Sequence, residues 1–304
     1  MNEGGPGGDH TTDPATDAFV AHRSLLFTVA YEMLGSAADA EDVLQETWLR
    51  WVKADLERVR DRRAYLVRIT TRQALNRLRA VRRRREAYVG PWLPEPLLTA
   101  PDVAEDVELA ESVSMAFMLV LETLSPTERA VFVLREAFAF SYEEIAAAVD
   151  KEPAAVRQIA SRARRRVDAR RPRRVVSPRV ARAAMEALRN AIETRDVRGL
   201  LDVLAPDVVA LNDGGGVRQA APRPIVGAGK VVRFLAGGLG RTAGRITSVP
   251  TLVNGSPALV LHLDGEIDGV LALRVEEDRI TGLYYVRNPA KLTHVRTGTP
   301  LTHH

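Results

Sequence analysis

The sequence predicts a multidomain protein in which two all-α helical domains precede an α+β domain. Apolar residues recur at steps of three and four from Phe19 to about Arg85 and again across residues 113–170, which is the periodicity of amphipathic helices. Four prolines between residues 86 and 112 separate these two stretches, because proline ends helices. Beyond residue 207 the pattern changes to short apolar runs divided by turn residues, which is typical of strands.

The shifts in composition set the expected boundaries. A chain of 304 residues is long enough for two or three domains. We expect helical domains at 17–86 and 113–172, an acidic Pro-rich linker at 87–112, an α+β domain at 178–292, and disordered tails at 1–16 and 293–304.

Three helices make up the predicted first domain. The first runs from Phe19 to Leu34. Ser36 caps the second, because a serine side chain accepts a hydrogen bond from a free backbone amide at a helix start. The second helix ends near Trp51. The third spans about residues 63–83, and its inner face is formed by Val67, Thr71, Ala74, Leu78 and Val81.

The second domain contains two capping boxes, in which a serine is followed three residues later by glutamate. The pairs are Ser125 with Glu128 and Ser141 with Glu144. The second box opens one helix, a short turn follows, and Pro153 starts another. Two helices joined so closely predict a helix-turn-helix at 141–167. A plain helical hairpin with a solvated arginine face is the alternative.

The third domain is predicted to contain three helices and five strands. Two helices, at about 179–194 and 196–204, precede the first strand, and a third lies near 229–239. Asn-Gly at 254–255 and Asp-Gly at 264–265 are dipeptides of two-residue hairpins. The strands are predicted at 207–212, 245–253, 257–264, 268–276 and 279–287.

The composition excludes several classes of protein. An apolar content of 46% excludes wholesale disorder. The absence of cysteine excludes a disulfide scaffold, a thiolate metal site and a cysteine nucleophile. No apolar run reaches the roughly 18 to 20 residues of a membrane helix. We therefore expect a soluble cytoplasmic protein with no metal, no cofactor and no membrane partner.

The charges are sorted into segments that the net charge of +4 conceals. Residues 58–85 contain twelve arginines against one acid, and residues 86–122 contain eight acids and no base. Residues 157–174 contain nine arginines against Asp168. Segments of this size favour surfaces that meet partners of opposite charge, and solvated helix faces are the alternative.

Two arginine-rich helix faces are candidates for DNA binding, because their side chains donate to phosphates and base edges. On the second helix of the helix-turn-helix, the exposed donors are Arg157, Gln158, Ser161, Arg162, Arg164 and Arg165. On the third helix of the first domain, the polar stripe contains Arg68, Arg72, Asn76, Arg79 and Arg83. The second helix of that domain has the opposite sign, with Asp39, Glu41, Asp42 and Glu46. Its carboxylates repel DNA, so we expect this face to meet a protein with basic groups.

Residues 39–50, Asp-Ala-Glu-Asp-Val-Leu-Gln-Glu-Thr-Trp-Leu-Arg, resemble the core-binding segment in region two of bacterial extracytoplasmic-function sigma factors. Residues 124–129 and the helix-turn-helix resemble region four of that group. The resemblance implies a promoter-specificity subunit with core RNA polymerase and promoter DNA as partners. It assigns the −35 element to the helix-turn-helix and the −10 element to the basic helix together with Arg62. It assigns core polymerase to Asp39, Glu41, Asp42, Gln45, Glu46 and Leu49.

Three further motifs resemble those of the subgroup with a C-terminal SnoaL-like domain, a curved sheet closed by helices into a cone. They are Trp92-Leu93-Pro94-Glu95-Pro96, Asp213-Gly214-Gly215-Gly216 and Asn288-Pro289-Ala290-Lys291-Leu292. Two positions depart from the subgroup's motifs, namely Val217 before Arg218, and Ala290.

The hypothesis is regulation in cis, in which the cone packs on the sigma domains, its triple-glycine loop touches them, and the segment Asn288 to Leu292 supports an active arrangement. No separate anti-sigma factor is required, and we expect the free protein to be a monomer. The expected interdomain residues are Trp92, Pro94, Glu95, Asp213, Gly214, Gly215, Gly216, Asn288, Pro289 and Lys291.

Two alternative functions stay open. One is a helix-turn-helix regulator that senses a ligand in the cone, and the other is an enzyme of the SnoaL-like class with an accessory DNA-binding half. An enzyme would need a general acid or base in the cavity. The few candidates are Asp207, Asp213, His262, Asp264, Glu266 and Asp268. A core histidine is the more common role for His262, and we predict no catalytic residue.

Overall fold

The computed structural model describes residues 13–99, 113–170, 176–241 and 244–297. Within them, a helical N-terminal half is followed by an α+β C-terminal domain, as the sequence predicts. Parts of the predicted domain plan lie outside the described residues, namely 1–12 and 298–304 of the tails, 100–112 of the linker, 171–172 of the second domain and 242–243 of the third.

Three helices form the first part of the chain, α1 (Pro14–Leu34), α2 (Ala37–Trp51) and α3 (Arg62–Arg85). Gly35 ends α1 in the left-handed conformation, with a φ of 67°. Ser36 caps α2 as predicted, because its Oγ accepts from the amide of Asp39 at 3.2 Å. The predicted inner face of α3 is buried.

The start of α1 corrects one expectation. Asp13 caps this helix and Pro14 occupies its first turn. Ala15 is 4% exposed, and its carbonyl accepts from the indole Nε1 of Trp51 at 2.7 Å. The expectation of a disordered tail is therefore wrong for residues 13–16, because packing against α2 orders them.

Four helices follow, α4 (Met115–Leu121), α5 (Pro126–Phe132), α6 (Tyr142–Val149) and α7 (Pro153–Asp168). Both predicted capping boxes are present, at Ser125 and at Ser141. Asp150 ends α6 in the left-handed conformation, and α7 begins three residues later. The predicted helix-turn-helix is confirmed as α6 and α7. The apolar cores of the two predicted helical domains are continuous, since one cluster of buried side chains extends from Ala15 to Val167.

The C-terminal domain contains one six-stranded sheet in the order β2-β1-β6-β5-β4-β3. Neighbouring strands are antiparallel except β1 and β6, which are parallel. The strands are β1 (Leu204–Asp213), β2 (Ile225–Val226), β3 (Ile246–Val253), β4 (Ser256–Leu263), β5 (Glu266–Glu276) and β6 (Arg279–Val286). The helices α8 (Pro178–Glu193), α9 (Val197–Val203) and α10 (Ala228–Arg241) complete it.

Most of this domain follows from its sequence pattern. The five predicted strands and three predicted helices are present. Both predicted hairpins have positive φ at each turn residue, 53° and 67° at Asn254 and Gly255, and 53° and 89° at Asp264 and Gly265. The two-residue strand β2 was not predicted, because so short a strand has no detectable period.

The two faces of the sheet are covered differently. Helices α8, α9 and α10 cover one face, which carries Leu259, Leu271 and Leu283. Leu93 of the linker and Met115 of α4 lie in the cluster on the other face. The linker also extends the sheet at β3, since the amide of Thr99 donates to the carbonyl of Leu252 at 3.0 Å.

The C-terminal segment corrects a second expectation. Residues Thr293–Thr297 form a short helix, α11, in which Val295 is 7% exposed. Val295 and Leu292 belong to the cluster that also contains Leu93. The expected disorder is therefore wrong for residues 293–297, because this apolar contact orders them.

Candidate functional site

The exposed face of α7 carries all six side chains predicted to contact DNA. The opposite face is buried through Val156, Ala160 and Ala163. Two of the six make ion pairs, Arg164 with Glu136 at 2.5 Å and Arg157 with Glu143 at 3.7 Å. Exposed ion pairs contribute little energy, so these arginines can exchange their partners for phosphates.

One end of the basic face of α3 contacts the helix-turn-helix, and most of this face is exposed. Asn76, Arg79 and Arg83 are exposed, and Arg68 stacks on Tyr65. The side chain of Arg72 donates to the carbonyl of Ala147 in α6 at 3.0 Å. Arg62 stands at the start of α3 and reaches the carbonyl of Pro14 at 3.5 Å. One end of the predicted DNA-binding stripe therefore contacts the second DNA-binding unit.

The acidic face of α2 is partly tied to its own domain. Arg77 of α3 binds Asp39 at 2.6 Å and Asp42 at 2.7 Å. Arg23 of α1 binds Glu41 at 2.7 Å. The remaining predicted residues are exposed, namely Gln45, Glu46 and Leu49, and Leu49 is 51% exposed. An exposed leucine beside carboxylates suits a protein partner.

A buried ion cluster joins the two helical parts. Glu122, which follows α4, binds Arg85 of α3 at 2.7 Å and also pairs with Arg129 of α5. The Nε of Arg129 donates to the carbonyl of Glu32 in α1 at 2.7 Å. Burial raises the pKa of Glu122, but the two arginines outweigh it and hold that pKa below its ordinary value of 4.5. The carboxylate is therefore ionised where it bridges the helices.

Asp213, at the end of β1, is the centre of what we call the linker clamp. Its side chain is fully buried and accepts from three partners outside its own loop. They are the hydroxyl of Tyr88 at 2.5 Å, the amide of Leu93 at 2.9 Å and the Nζ of Lys291 at 2.7 Å. The amide of Asn288 in turn donates to the carbonyl of Asp213 at 3.0 Å. Two of the three resembling motifs therefore meet at the linker.

Lys291 and Trp92 form the outer part of the clamp. The Nζ of Lys291 lies 4.2 Å from the centroid of the Trp92 ring and donates to the carbonyl of Leu93 at 2.5 Å. Burial lowers the pKa of Lys291 to about 8, although Asp213 acts in the opposite direction. The guanidinium of Arg85 also lies over the Trp92 ring, 3.4 Å from its centroid. A Cβ on Gly35 would lie 2.6 Å from this ring, so the α1–α2 turn requires glycine here.

Glu95 ties the linker to the start of α2. Its side chain is 3% exposed, and its Oε2 accepts from the amide of Ala37 at 2.8 Å and from the Oγ of Ser36 at 3.2 Å. Its Oε1 lies 2.7 Å from the Nδ1 of His294 in α11. A carboxylate at a helix N-terminus is stabilised by the free amides and the helix dipole. Pro94 beside it is buried, whereas Pro289 begins a single 3-10 turn.

The triple-glycine loop contacts the linker that joins the two helical domains. Gly215 lies against the side chain of Asn288, and Gly216 lies 3.4 Å from Val89 of the linker, both measured from the position of an ideal Cβ. Gly215 and Gly216 both have positive φ. They lie in a tight turn that begins at Gly214, whose carbonyl accepts from the amides of Val217 and Arg218. The physical reason is that Asp213, directly before the loop, is held by the linker.

Two family models match the chain, "Sigma-70 region 2" at residues 18–84 and "Sigma-70, region 4" at residues 114–167. Over 297 residues the chain is 37% identical to the ECF RNA polymerase sigma factor SigJ of Mycobacterium tuberculosis, and 93% of each chain is covered. The chain belongs to the ECF sigma factors. An ECF sigma factor directs RNA polymerase to promoters, so the predicted role in transcription initiation is confirmed.

Further relatives of this ECF sigma factor support the same family assignment. The probable ECF RNA polymerase sigma factor SigI of M. tuberculosis is 31% identical over 287 residues, with 93% of this chain and 97% of SigI covered. The crystal structure of M. tuberculosis SigJ superposes with a TM-score of 0.74 at 34% identity, covering 94% of this chain and all of that one. The likeness therefore includes the C-terminal domain, which has the predicted SnoaL-like fold. In the part of this sigma factor that the structure describes, no helix has the length and apolarity for crossing a bilayer.

The sequence did not reveal a further interdomain residue of this sigma factor, Asn254. Asn254 is fully buried, and its Nδ2 donates to the hydroxyl of Tyr31 at 2.6 Å and to the carbonyl of Val113 at 2.9 Å. Its Oδ1 accepts from the amide of Leu97 at 3.1 Å. One side chain thus joins α1, the linker and the segment before α4. The pattern indicated only a hairpin turn, because Asn-Gly has that local role in any protein.

The titratable candidates of the C-terminal domain are dispersed. His262 and Asp268 line a cavity inside the cone, whereas Asp264, Glu266 and Asp207 are exposed. Asp213 belongs to the linker clamp on the opposite face of the sheet. The structure therefore brings together two of the six candidate residues.

Proposed function

We propose that three separate faces of this sigma factor bind three parts of the transcription machinery. The exposed residues of α2 bind core polymerase, the basic face of α3 contacts the −10 element, and α7 reads the −35 element. The observation that carries this assignment is the sign of each face. Gln45, Glu46 and Leu49 form an acidic and apolar surface, whereas the exposed faces of α3 and α7 present arginines.

The described arrangement is a closed state, in which the two DNA-binding faces cannot both reach a promoter. The −10 and −35 elements are named by their positions in base pairs, so they lie about 25 base pairs apart. This separation is about 85 Å of B-DNA at about 3.4 Å per base pair. Here Arg72 of α3 contacts α6 at 3.0 Å, and α7 is about 24 Å long at about 1.5 Å per residue. Promoter binding therefore requires that the helical parts separate.

The C-terminal domain regulates this separation in cis. The linker clamp at Asp213, the Glu95–His294 contact and Asn254 all fix the linker that joins the helical parts. While they hold, one buried asparagine joins α1 to the segment that precedes α4. This sigma factor needs no separate anti-sigma protein for its closed state, and the free protein is a cytoplasmic monomer.

Run-off transcription with purified core polymerase on candidate promoters tests the proposal. The full chain is compared with a chain ending at residue 292, which lacks His294 and Val295, and with one ending at residue 177. Loss of the last segment removes contacts of the closed state and leaves α2, α3 and α7 intact, so we expect higher activity at equal core binding. Identical activity in all three forms would reject regulation in cis.

A matched pair of variants tests the assignment of faces. Glu46→Lys reverses one charge on α2, and Glu143→Lys reverses one exposed charge on α6. We expect the first variant to lose affinity for core polymerase in the absence of DNA, and the second to retain it. Equal affinities would contradict the role of α2. Failure of both to bind core polymerase would point to misfolding, which circular dichroism detects.

A further inference from the structure

The cone of the C-terminal domain encloses a cavity of about 660 Å³ between the sheet and α10. This volume lies within the range of about 300 to 1,000 Å³ that proteins use for drug-sized ligands. Its walls are mostly apolar and include Leu261, Leu271, Leu283 and Phe234. Neither the DNA-binding helices nor the linker contributes to the lining. The cavity is therefore separate from the surfaces that contact DNA and from the linker itself.

One corner of the cavity carries a built set of polar groups. Asp268 accepts from Arg287 at 2.7 Å and from the hydroxyl of Tyr285. Burial raises the pKa of Asp268, but these two donors outweigh it and lower that pKa. The carboxylate and the guanidinium therefore neutralise each other. The position of Asp268 comes from a β-bulge, since pairing jumps from Leu261–Gly269 to His262–Ile267 and leaves Asp268 as an additional residue on β5.

Three polar atoms of residues that line this cavity have no hydrogen-bond partner among the described residues. They are the Nδ2 of Asn212, a side chain that is 4% exposed, the Nδ1 of His262 and the Nε of Arg287. A buried amide without a partner costs about 1–3 kcal/mol by general experience. Such groups in an apolar cavity are the usual way in which a protein fixes the orientation of a ligand.

We propose that the cavity binds an uncharged, mostly apolar small molecule that presents a carbonyl or hydroxyl oxygen to the amide of Asn212. The apolar walls set the class of molecule, and the free amide hydrogen sets the polar group it must carry. A charged ligand is disfavoured, because the charges of Arg287 and Asp268 already neutralise each other and a further buried charge would stay unpaired.

Occupancy of the cavity acts on the linker clamp, a consequence that rests on the regulation in cis proposed above. Successive side chains of a strand point to opposite faces of the sheet. Asn212 and Arg287 line the cavity, and the next residues, Asp213 and Asn288, contact Tyr88 of the linker on the other face. The two strand ends are also bonded to each other, since the amide of Arg287 donates to the carbonyl of Asp213 at 2.7 Å. A molecule that moves Asn212 therefore moves the centre of the clamp.

The test uses the full chain and two fluorescent probes. Prodan is an uncharged naphthalene ketone whose emission shifts to shorter wavelength in apolar surroundings, and dimethylaminonaphthalene lacks the ketone. We expect saturable binding of both probes. Asn212→Ala should weaken the affinity for Prodan by about tenfold, which is the effect of losing one hydrogen bond to a buried group. The affinity for the ketone-free probe should change by less than about twofold.

A second variant keeps the test valid if Asn212→Ala disturbs folding. Gly237 of α10 lines the cavity, and no atom lies within 4 Å of an ideal Cβ at this position. Gly237→Trp should place an indole ring in the cavity and strongly weaken the binding of both probes, whereas Gly237→Ala should leave binding unchanged. Absence of binding, or equal binding in all four proteins, overturns the proposed site, because a dye on the surface would respond to none of these changes.

Hydrogen exchange of residues 88–95 with and without saturating Prodan tests the link to the clamp. We expect the exchange rates of these amides to change in the wild type and to stay constant in Gly237→Trp. Prodan binding without any change in hydrogen exchange would overturn the coupling between the cavity and the clamp, while the binding site itself would stand. Neither measurement involves polymerase, so failure here is distinguishable from failure of the transcription assay that tests the proposed function.

Discussion

Asp213→Asn is the sharpest perturbation of the linker clamp, because it removes one charge and almost no volume. The wild-type carboxylate is fully buried and faces the Nζ of Lys291 at 2.7 Å and the amide of Leu93 at 2.9 Å. In the variant, Lys291 keeps its position between Trp92 and Tyr88 without a counter-charge. The amide group can accept through one oxygen only, so one of the three donors also loses its partner.

The expected energy follows from the burial of the pair. Removing one partner of a buried ion pair costs about 3–5 kcal/mol. At about 1.4 kcal/mol for each factor of ten, the equilibrium between the clamped and the released linker shifts by about two to nearly four orders of magnitude. Both side chains are well shielded, with 12% and 0% exposure, so solvent screening does not reduce this value substantially.

Hydrogen exchange of residues 88–95 measures the release, and run-off transcription measures its consequence. We expect faster exchange in Asp213→Asn and, since the closed state is weakened, higher activity. Asp207→Asn is the matched control, because Asp207 lies on the same strand and is exposed. The reasoning would be refuted if residues 88–95 of Asp213→Asn exchanged at the wild-type rate. It would also be refuted if Asp213→Asn and Asp207→Asn changed the exchange rate equally. The double variant Asp213→Asn, Lys291→Met should recover part of the stability of the clamped linker, because no unpaired charge stays buried.

Three further predictions concern DNA contact, acid stability and domain contact. Arg162→Ala should weaken binding of the polymerase holoenzyme to the −35 element by about 1–3 kcal/mol, and Arg198→Ala on the C-terminal domain should not, as promoter titrations would show. The lowered pKa of Glu122 means that its stabilisation is present above pH 4.5 and is lost as the pH falls through the lower folded value; thermal unfolding of Glu122→Gln should therefore depend less on pH in the acid range than that of the wild type. Asn254→Ala removes three hydrogen bonds and places alanine at a φ of 53°, so chemical denaturation should show a loss of about 2–4 kcal/mol, and an unchanged midpoint would contradict this.

The helices and strands were predictable because their signals are local. Ser36, Ser125 and Ser141 cap helices through amides within three residues. The Asn-Gly and Asp-Gly turns need only their own backbone conformation. The ends of the chain were less predictable, because residues 13–16 and 293–297 are ordered by contacts with Trp51 and with the cluster around Leu93.

The exposed faces of α3 and α7 were predictable for the same reason, since a helix period decides which side chains face outward. The clamp was predictable only as three motifs that resemble those of known proteins. Their meeting at Asp213 depends on pairing between β1 and β6, which are separated by more than sixty residues in the chain. Asn254 was missed altogether, because its partners Tyr31, Leu97 and Val113 are all distant in the sequence.

The sequence by itself determined the class of each element, the charge of each face and, through resemblance, the sigma-factor family. Those properties depend on residues a few positions apart, where backbone geometry fixes which side chains are neighbours. Only the tertiary structure decided that Arg72 contacts the helix-turn-helix, that one core spans both helical parts, and that the clamp and the cavity occupy opposite faces of the same two strand ends. These arrangements are set by burial and ion pairing between distant segments, which no local pattern encodes.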